Sequence, residues 1–211
     1  MKTKQKNPIW FVIIGQSGSG KGAAAGIIEK CLQKNKMPIY KIGTGDVVRE
    51  IIKTDTYMAR KMGAINNQGF KQPAIIASSF WLGKFFKEYK GETVIHEGSP
   101  RSVEEFKNML AVSNMGYLPK IMVIEISATE KNCYDRLYKR TVEGKRADLS
   151  FDEKLGIPNP QKIKNKMTWW NKEYKSIVRA CKNKAPYLVV KNDQTIKQFE
   201  IRLNAMMKKI M

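Results

Sequence analysis

Ile9-Trp10-Phe11-Val12-Ile13-Ile14-Gly15-Gln16-Ser17-Gly18-Ser19-Gly20-Lys21-Gly22 is the stretch that decides the fold. Ile9–Gly15 is a near-continuous apolar run of strand length, the pattern of a strand covered on both faces. Beyond Lys21, the residues Ala24, Ile28, Cys31 and Leu32 fall on one face of a helix. Between strand and helix, the glycines let the backbone curl so that successive N–H groups point inward at a phosphate chain. Lys21 adds a mobile positive charge, and the helix aims its positive end at the same place. A plain glycine-rich turn needs neither the strand before, nor the helix after, nor a lysine at this spacing. The residues Gly15, Ser17, Gly18, Ser19, Gly20, Lys21, Gly22 and Ala23 are therefore expected to bind nucleotide phosphates. Where a Ser or Thr ordinarily follows the lysine stand Gly22 and then Ala23. No hydroxyl is available there to ligate Mg²⁺ directly, which argues against GTPases and motor ATPases.

Outward from this start, short apolar runs recur at Met37–Ile42, Thr93–Glu97, Ile121–Ile126 and Ala185–Val190, with helical patterns between them. One such pattern is the tail, where Ile196, Phe199, Leu203, Met206, Met207 and Ile210 share a face. Strand–helix alternation implies an α/β fold with a parallel sheet and right-handed crossovers. Two stretches fit no simple crossover. One runs from Thr44 to Gln72 and holds helical pieces broken by Gly63, Gly69 and Pro73. The other runs from Thr141 to Ile163 and carries charges, glycines and prolines with little apolar periodicity. Both read as inserted mobile subdomains.

With 211 residues and 42% hydrophobic content, the chain can bury one sizeable core. Its 39 Lys and Arg against 19 Asp and Glu leave +20, a balance that attracts polyanions: nucleic acid, anionic membrane or phosphorylated small molecules. Cys31, Cys133 and Cys181 are odd in number and far apart. They exclude a disulfide framework or a four-cysteine zinc site and point to a reducing, cytoplasmic setting. No apolar stretch approaches the roughly 20 residues needed to span a bilayer, and Ile9–Ile14 is too short for a signal peptide.

Three further groups follow the next strands. Gly43-Thr44-Gly45-Asp46-Val47-Val48-Arg49 comes after the second, Glu97-Gly98-Ser99-Pro100-Arg101 after the third, and Arg136, Arg140 and Arg146 after the fourth. Ligands bind at the carboxyl ends of strands in open α/β sheets, so these groups could converge. A carboxylate there can hold a hydrated metal while arginines grip phosphate oxygens.

Taken in order, GQSGSGKG at 15–22, TGDVVRE at 44–50, EGSPRS at 97–102, DRLYKR at 135–140 and the weaker RAD at 146–148 resemble the adenylate kinase family of nucleoside monophosphate kinases. The resemblance covers nearly the whole chain. It implies a three-layer P-loop kinase fold with a five-stranded parallel sheet flanked by helices. The core would comprise residues 1–43, 74–140 and 164–211, with a monophosphate-binding insertion at 44–73 and a short zinc-free lid at 141–163. It implies ATP and a nucleoside monophosphate as substrates, Mg²⁺ as cofactor, and a monomer. Lys21 and the loop amides would hold the donor triphosphate; Thr44, Arg49, Gly98 and Arg101 would bind the acceptor monophosphate. Arg136 and Arg140 would clamp donor and transferring groups, and Arg146 would descend with the lid. Asp46 and Glu97 would orient the water shell of Mg²⁺, Glu97 standing where the family has aspartate.

Glu105 occupies the position of a glutamine that reads adenine in the family. An ionised glutamate only accepts hydrogen bonds, so Glu105 suits a base presenting N–H groups, or else is a solvated helix residue with base choice made elsewhere. A further family arginine is replaced by Lys166 or Lys164. His96, inside a strand, reads as a core or supporting residue. Phe80, Trp81, Phe85 and Phe86 read as core packing, as do Trp169 and Trp170, and Lys162–Lys166 as a solvated face. Two other classes stay in view: a catalytically weak nucleotide sensor, and a basic P-loop protein that binds nucleic acid.

Overall fold

The structure, a computed structural model, describes residues 7–143, 151–152 and 157–211. Five parallel strands form its sheet: β1 (Ile9–Ile14), β2 (Ile39–Gly43), β3 (Thr93–Glu97), β4 (Lys120–Ser127) and, late in the chain, β7 (Tyr187–Lys191). All lie within two residues of the runs expected from sequence. The order is β2-β3-β1-β4-β7, so β1 is central and the chain winds first to one side of it and then to the other. That reversal opens a crevice at the carboxyl end of β1.

Successive side chains of a strand face opposite ways, so β1 feeds two cores. Phe11 and Ile13 pack with Ala24, Ile28 and Leu32 of α1 (Lys21–Lys34) and with Phe199, Leu203 and Met207 of α8 (Ile196–Ile210). Trp10, Val12 and Ile14 face α4 (Ala74–Glu88), α5 (Val103–Asn114) and α7 (Pro160–Lys184) through Trp81, Phe85, Phe106, Met109 and Ile177. The result is three layers, helix–sheet–helix.

The first insertion is helical: α2 (Thr44–Ile52) and α3 (Tyr57–Asn67). Gly63 does not break α3, contrary to the sequence expectation; it lies buried inside it, where a β-carbon would come within 3.4 Å of Ile52 on α2. The second stretch begins with the end of α6 (Glu130–Val142). It contains an antiparallel pair, β5 (Phe151–Asp152) with β6 (Ile157–Pro158), and runs into α7 at Pro160. Arg146 lies outside the described residues. Three other expectations are corrected. Phe86 is 82% exposed and Ile196 64% exposed, each at the border of its apolar stripe, whereas Lys162 is buried at the start of α7. No helix among the described residues is long and apolar enough to cross a membrane.

His96, fully buried on β3, sits in a box of rings. It stacks parallel on Trp10 at 5.9 Å, with Trp81 and Phe85 edge-on at 6.1 and 6.3 Å. Trp10 also meets Trp81 and Phe85 edge-on. Burial, helped by the nearby Arg101 charge, lowers the imidazole pKa to about 3.

Two predictions follow from this box. Trp10→Ala removes its central ring and is expected to cost about 3–5 kcal/mol in urea unfolding. His96 is neutral in the fold but protonates near pH 6.5 when unfolded, so its contribution is whole above that pH and is lost as pH falls toward 3. Between pH 6.5 and 5 the wild type should lose about 2 kcal/mol more stability than a His96→Leu variant. Parallel stability curves for the two proteins would refute the assignment.

Candidate active site

The loop after β1 is shaped by close approach as much as by torsion. Gly18 (φ 87°) and Gly20 (φ 101°) occupy the left-handed region, and a β-carbon on either would collide, with the Cys133 carbonyl and the Asn192 amide respectively. Asn192 Nδ2 donates to Ser19 O at 2.7 Å, and Arg136 donates to Ser19 O and Asn192 O at 3.4 and 2.8 Å. Lys21 Nζ turns back on the loop, donating to Gly15 O at 2.8 Å and Gln16 O at 2.9 Å.

Over this loop opens a cleft of about 1200 Å³, open solvent at its mouth included. Gly15, Ser17, Gly18, Gly20, Lys21 and Gly22 line its floor, with Arg49, Arg101, Arg140 and Lys166 around it. Arg49 and Arg101 close together over Gly45: a β-carbon there would lie 3.3 Å from Arg49 Nη1 and 3.9 Å from Arg101 Nη2. Arg101 Nε donates to Gly98 O at 2.8 Å, which fixes the direction of its fork. Lys166 lines the cleft and Lys164 is exposed, so Lys166 is the one facing the site.

Two carboxylates enter the same space. Asp46 pairs with Arg49, and its other oxygen lies against Gly43. Glu97 reaches between Gly22 and Gly43; β-carbons there would lie 3.4 and 3.5 Å from its oxygens. Oxygen donors alone, two carboxylates and a bare glycine where a hydroxyl is missing, suit Mg²⁺, which keeps most of its waters and leans on one or two carboxylates plus substrate phosphates. Among the described residues no cluster of three or more His, Cys, Asp or Glu forms a closed metal cage.

Some expected residues stand elsewhere. Arg136 does not line the cleft; both its described bonds go to main-chain carbonyls, so it steadies the loop. Ser19 and Ala23 lie outside the lining, Ser19 fully buried and Ala23 exposed. The Thr44 hydroxyl is buried and turned to His96 and Ser99. Glu105 is neither solvated nor facing the cleft: it is 1% exposed, with both oxygens bonded to protein. A signal for that orientation was present in Ser102-Val103-Glu104-Glu105, the spacing of a capping box. Ser102 Oγ does accept from Glu105 N at 3.2 Å, while the carboxylate reaches Arg101 N instead of Ser102 N.

Sequence reasoning also missed residues that only tertiary contact reveals. Asn66, Phe70, Trp169 and Trp170 line the cleft. Lys71 ties the Arg101 loop to α7, pairing with Glu173 at 2.9 Å, donating to Arg101 O at 3.2 Å and lying over the Trp169 ring.

The sequence has counterparts among known proteins. The chain is 32% identical to an adenylate kinase of Phocaeicola vulgatus over 185 residues, 84% of this chain and 86% of the relative. It is 31% identical to an adenylate kinase of Bacteroides thetaiotaomicron over 182 residues, with the same shares. An adenylate kinase of Azobacteroides pseudotrichonymphae matches at 24% over 186 residues, 88% of this chain and 90% of its own. No family model matches the chain. A glycine loop after the central strand, arginines at the neighbouring strand ends and kinship at this level over most of both sequences lead to one statement: the chain belongs to the adenylate kinase family of nucleoside monophosphate kinases, which are phosphotransferases.

Proposed function

We propose that the protein reversibly transfers the γ-phosphoryl of ATP to AMP. The observation that carries this reading is the single cleft that Lys21, Arg49, Arg101, Arg140 and Lys166 share with Asp46 and Glu97. AMP is named because the similar proteins are adenylate kinases, and because Glu105, turned inward, offers no argument against adenine.

Phosphoryl transfer asks little covalent chemistry of a protein. It asks for in-line placement, neutralisation of charge and exclusion of water. The loop amides of Gly15–Gly22 and Lys21 hold the donor phosphates, Lys21 exchanging its two carbonyl partners for phosphate oxygens. Arg49 and Arg101 take the acceptor phosphate, where planar forks engage oxygens bidentately. Arg140 and Lys166 face the transferring group, Arg136 keeps the loop in place, and Thr44 holds the acceptor loop from beneath. Asp46 and Glu97 would hold Mg²⁺ through its waters, and the ion would supply charge neutralisation for the phosphates. Residues 44–73 cover the acceptor.

The test is a coupled assay of diphosphate formation with ATP, Mg²⁺ and AMP. The wild type should turn over, and Lys21→Ala and Arg101→Ala should each fall about 100- to 1000-fold. Arg101→Lys should recover only part, since it restores charge without the fork. Unchanged rates in both alanine variants, or an inactive wild type, would overturn the proposal.

A further inference from the structure

Beneath the acceptor side of the cleft runs a buried chain of polar groups, and its hydrogen bonds have a direction. Glu105 accepts from Ser99 Oγ at 2.5 Å on one oxygen and from the Arg101 main-chain N–H at 2.6 Å on the other. Ser99 Oγ lies 2.6 Å from Thr44 Oγ1, which lies 2.9 Å from His96 Nε2. All four side chains are buried except for the last 1% of exposure at Thr44, Ser99 and Glu105. A carboxylate has no proton to give, so Ser99 donates to Glu105. That uses the one proton of Ser99, so Thr44 donates to Ser99. Thr44 then has only lone pairs left for His96, which must carry its proton on Nε2. His96 Nδ1, without a hydrogen-bond partner among the described residues, is left as a bare acceptor inside the ring box, cheaper to bury than an orphaned N–H.

We infer that Glu105 is a positioning residue of the acceptor site, which orders Ser99, Thr44 and His96 and pins the main chain at Arg101 instead of reading the acceptor's base. The inference rests on the reading of the cleft as a monophosphate-kinase site. Glu105 joins three pieces of that site: the end of β3 through His96, the first residue of α2 through Thr44, and the loop that carries Arg101. Each could shift alone; bonded in series they move as one.

Glutamine, the family's residue here, cannot do the same work in this setting. If its oxygen accepts from Arg101 N–H, its NH₂ faces Ser99. The chain must then reverse, Ser99 donating to Thr44 and Thr44 to His96 Nε2. The imidazole proton is driven to Nδ1, where it finds no acceptor. If its oxygen accepts from Ser99, its NH₂ confronts the Arg101 N–H. Either way one buried donor is stranded.

The experiment uses Glu105→Gln in the full chain, assayed with ATP and Mg²⁺ against AMP, GMP, CMP, UMP and dTMP. kcat/KM should fall by one common factor, about 10- to 100-fold, for every monophosphate the wild type accepts, with their ranking unchanged. A changed ranking, or wild-type kinetics, overturns the inference. Because His96 is the chain's sole histidine, ¹⁵N-histidine labelling reports its ring alone. The wild type should show the neutral Nε2–H tautomer, and an Nδ1–H tautomer or an imidazolium at pH 7 overturns the ordered chain. Should Glu105→Gln fail to fold, Ser99→Ala cuts the same chain one link along. It should give a smaller loss, again uniform across acceptors, and a shift in acceptor ranking would overturn the inference. A wild type inactive with all five acceptors sinks the kinase reading instead, and the ring-nitrogen measurement still decides the relay.

Discussion

Cations that share a small space repel one another, and the rest of the site is arranged around that fact. Arg49 and Arg101 face each other across Gly45, with Lys21 and Arg140 on the same cleft. Side chains so placed would swing apart into water unless something held them. For two of them the protein supplies neutral acceptors that fix direction without cancelling the charge. Gly98 O holds Arg101 and two loop carbonyls hold Lys21, while Asp46 takes Arg49. Main-chain carbonyls are weaker acceptors than phosphate oxygens, so an arriving phosphate chain can displace them at small cost. The sheet makes the gathering possible, because β1, β2 and β3 are hydrogen-bonded neighbours whose carboxyl ends share one edge.

Much of this was legible in the sequence wherever a local rule fixes the answer. The glycine loop could be read because its torsions and close approaches exclude other residues: Gly18 and Gly20 cannot bear side chains where they lie. The central strands β1, β3 and β4 could be read because they are covered on both faces and so are nearly continuously apolar. Residues whose role depends on a distant partner could not be read. Phe86 continues an apolar stripe and is exposed, because the sheet meets α4 through Trp81 and Phe85. Lys162 looked like a solvated lysine, yet the turn at Gly69 packs on it so closely that a β-carbon would lie 2.5 Å from its carbonyl. Glu105 looked like a base reader by its position in a motif. Its orientation is set by Ser99 and by the cap at Ser102, both inside the EGSPRS stretch, through bonds that form only once the turn is folded.

The same contacts show how the acceptor side is tied to the body. The segment after α3 meets α7 at four places: Gly69 on Lys162, Gln68 O accepting from Asn165 Nδ2 at 2.7 Å, and Lys71 on both Trp169 and Glu173. Half-exposed ion pairs and single hydrogen bonds of this kind contribute little each. They can define a resting position that is released at small cost.

The far part of α7 is held on different terms. Glu125, buried on β4, accepts from Tyr174 Oη at 2.6 Å and from Tyr187 Oη at 2.5 Å, so one carboxylate joins α7 to β4 and β7. Burial, then the bond to Glu125 and its charge, push both phenols well above their ordinary pKa, Tyr174 to about 12, so they stay donors throughout the physiological range. A buried carboxylate that lost one of its donors would carry an uncompensated desolvation cost, which makes this joint far stiffer than the contacts near the cleft. The helix is thus fixed at its far end and lightly held beside the site. Any opening of the segment after α3 is expected to occur at Gln68–Lys71, leaving the sheet edge in place.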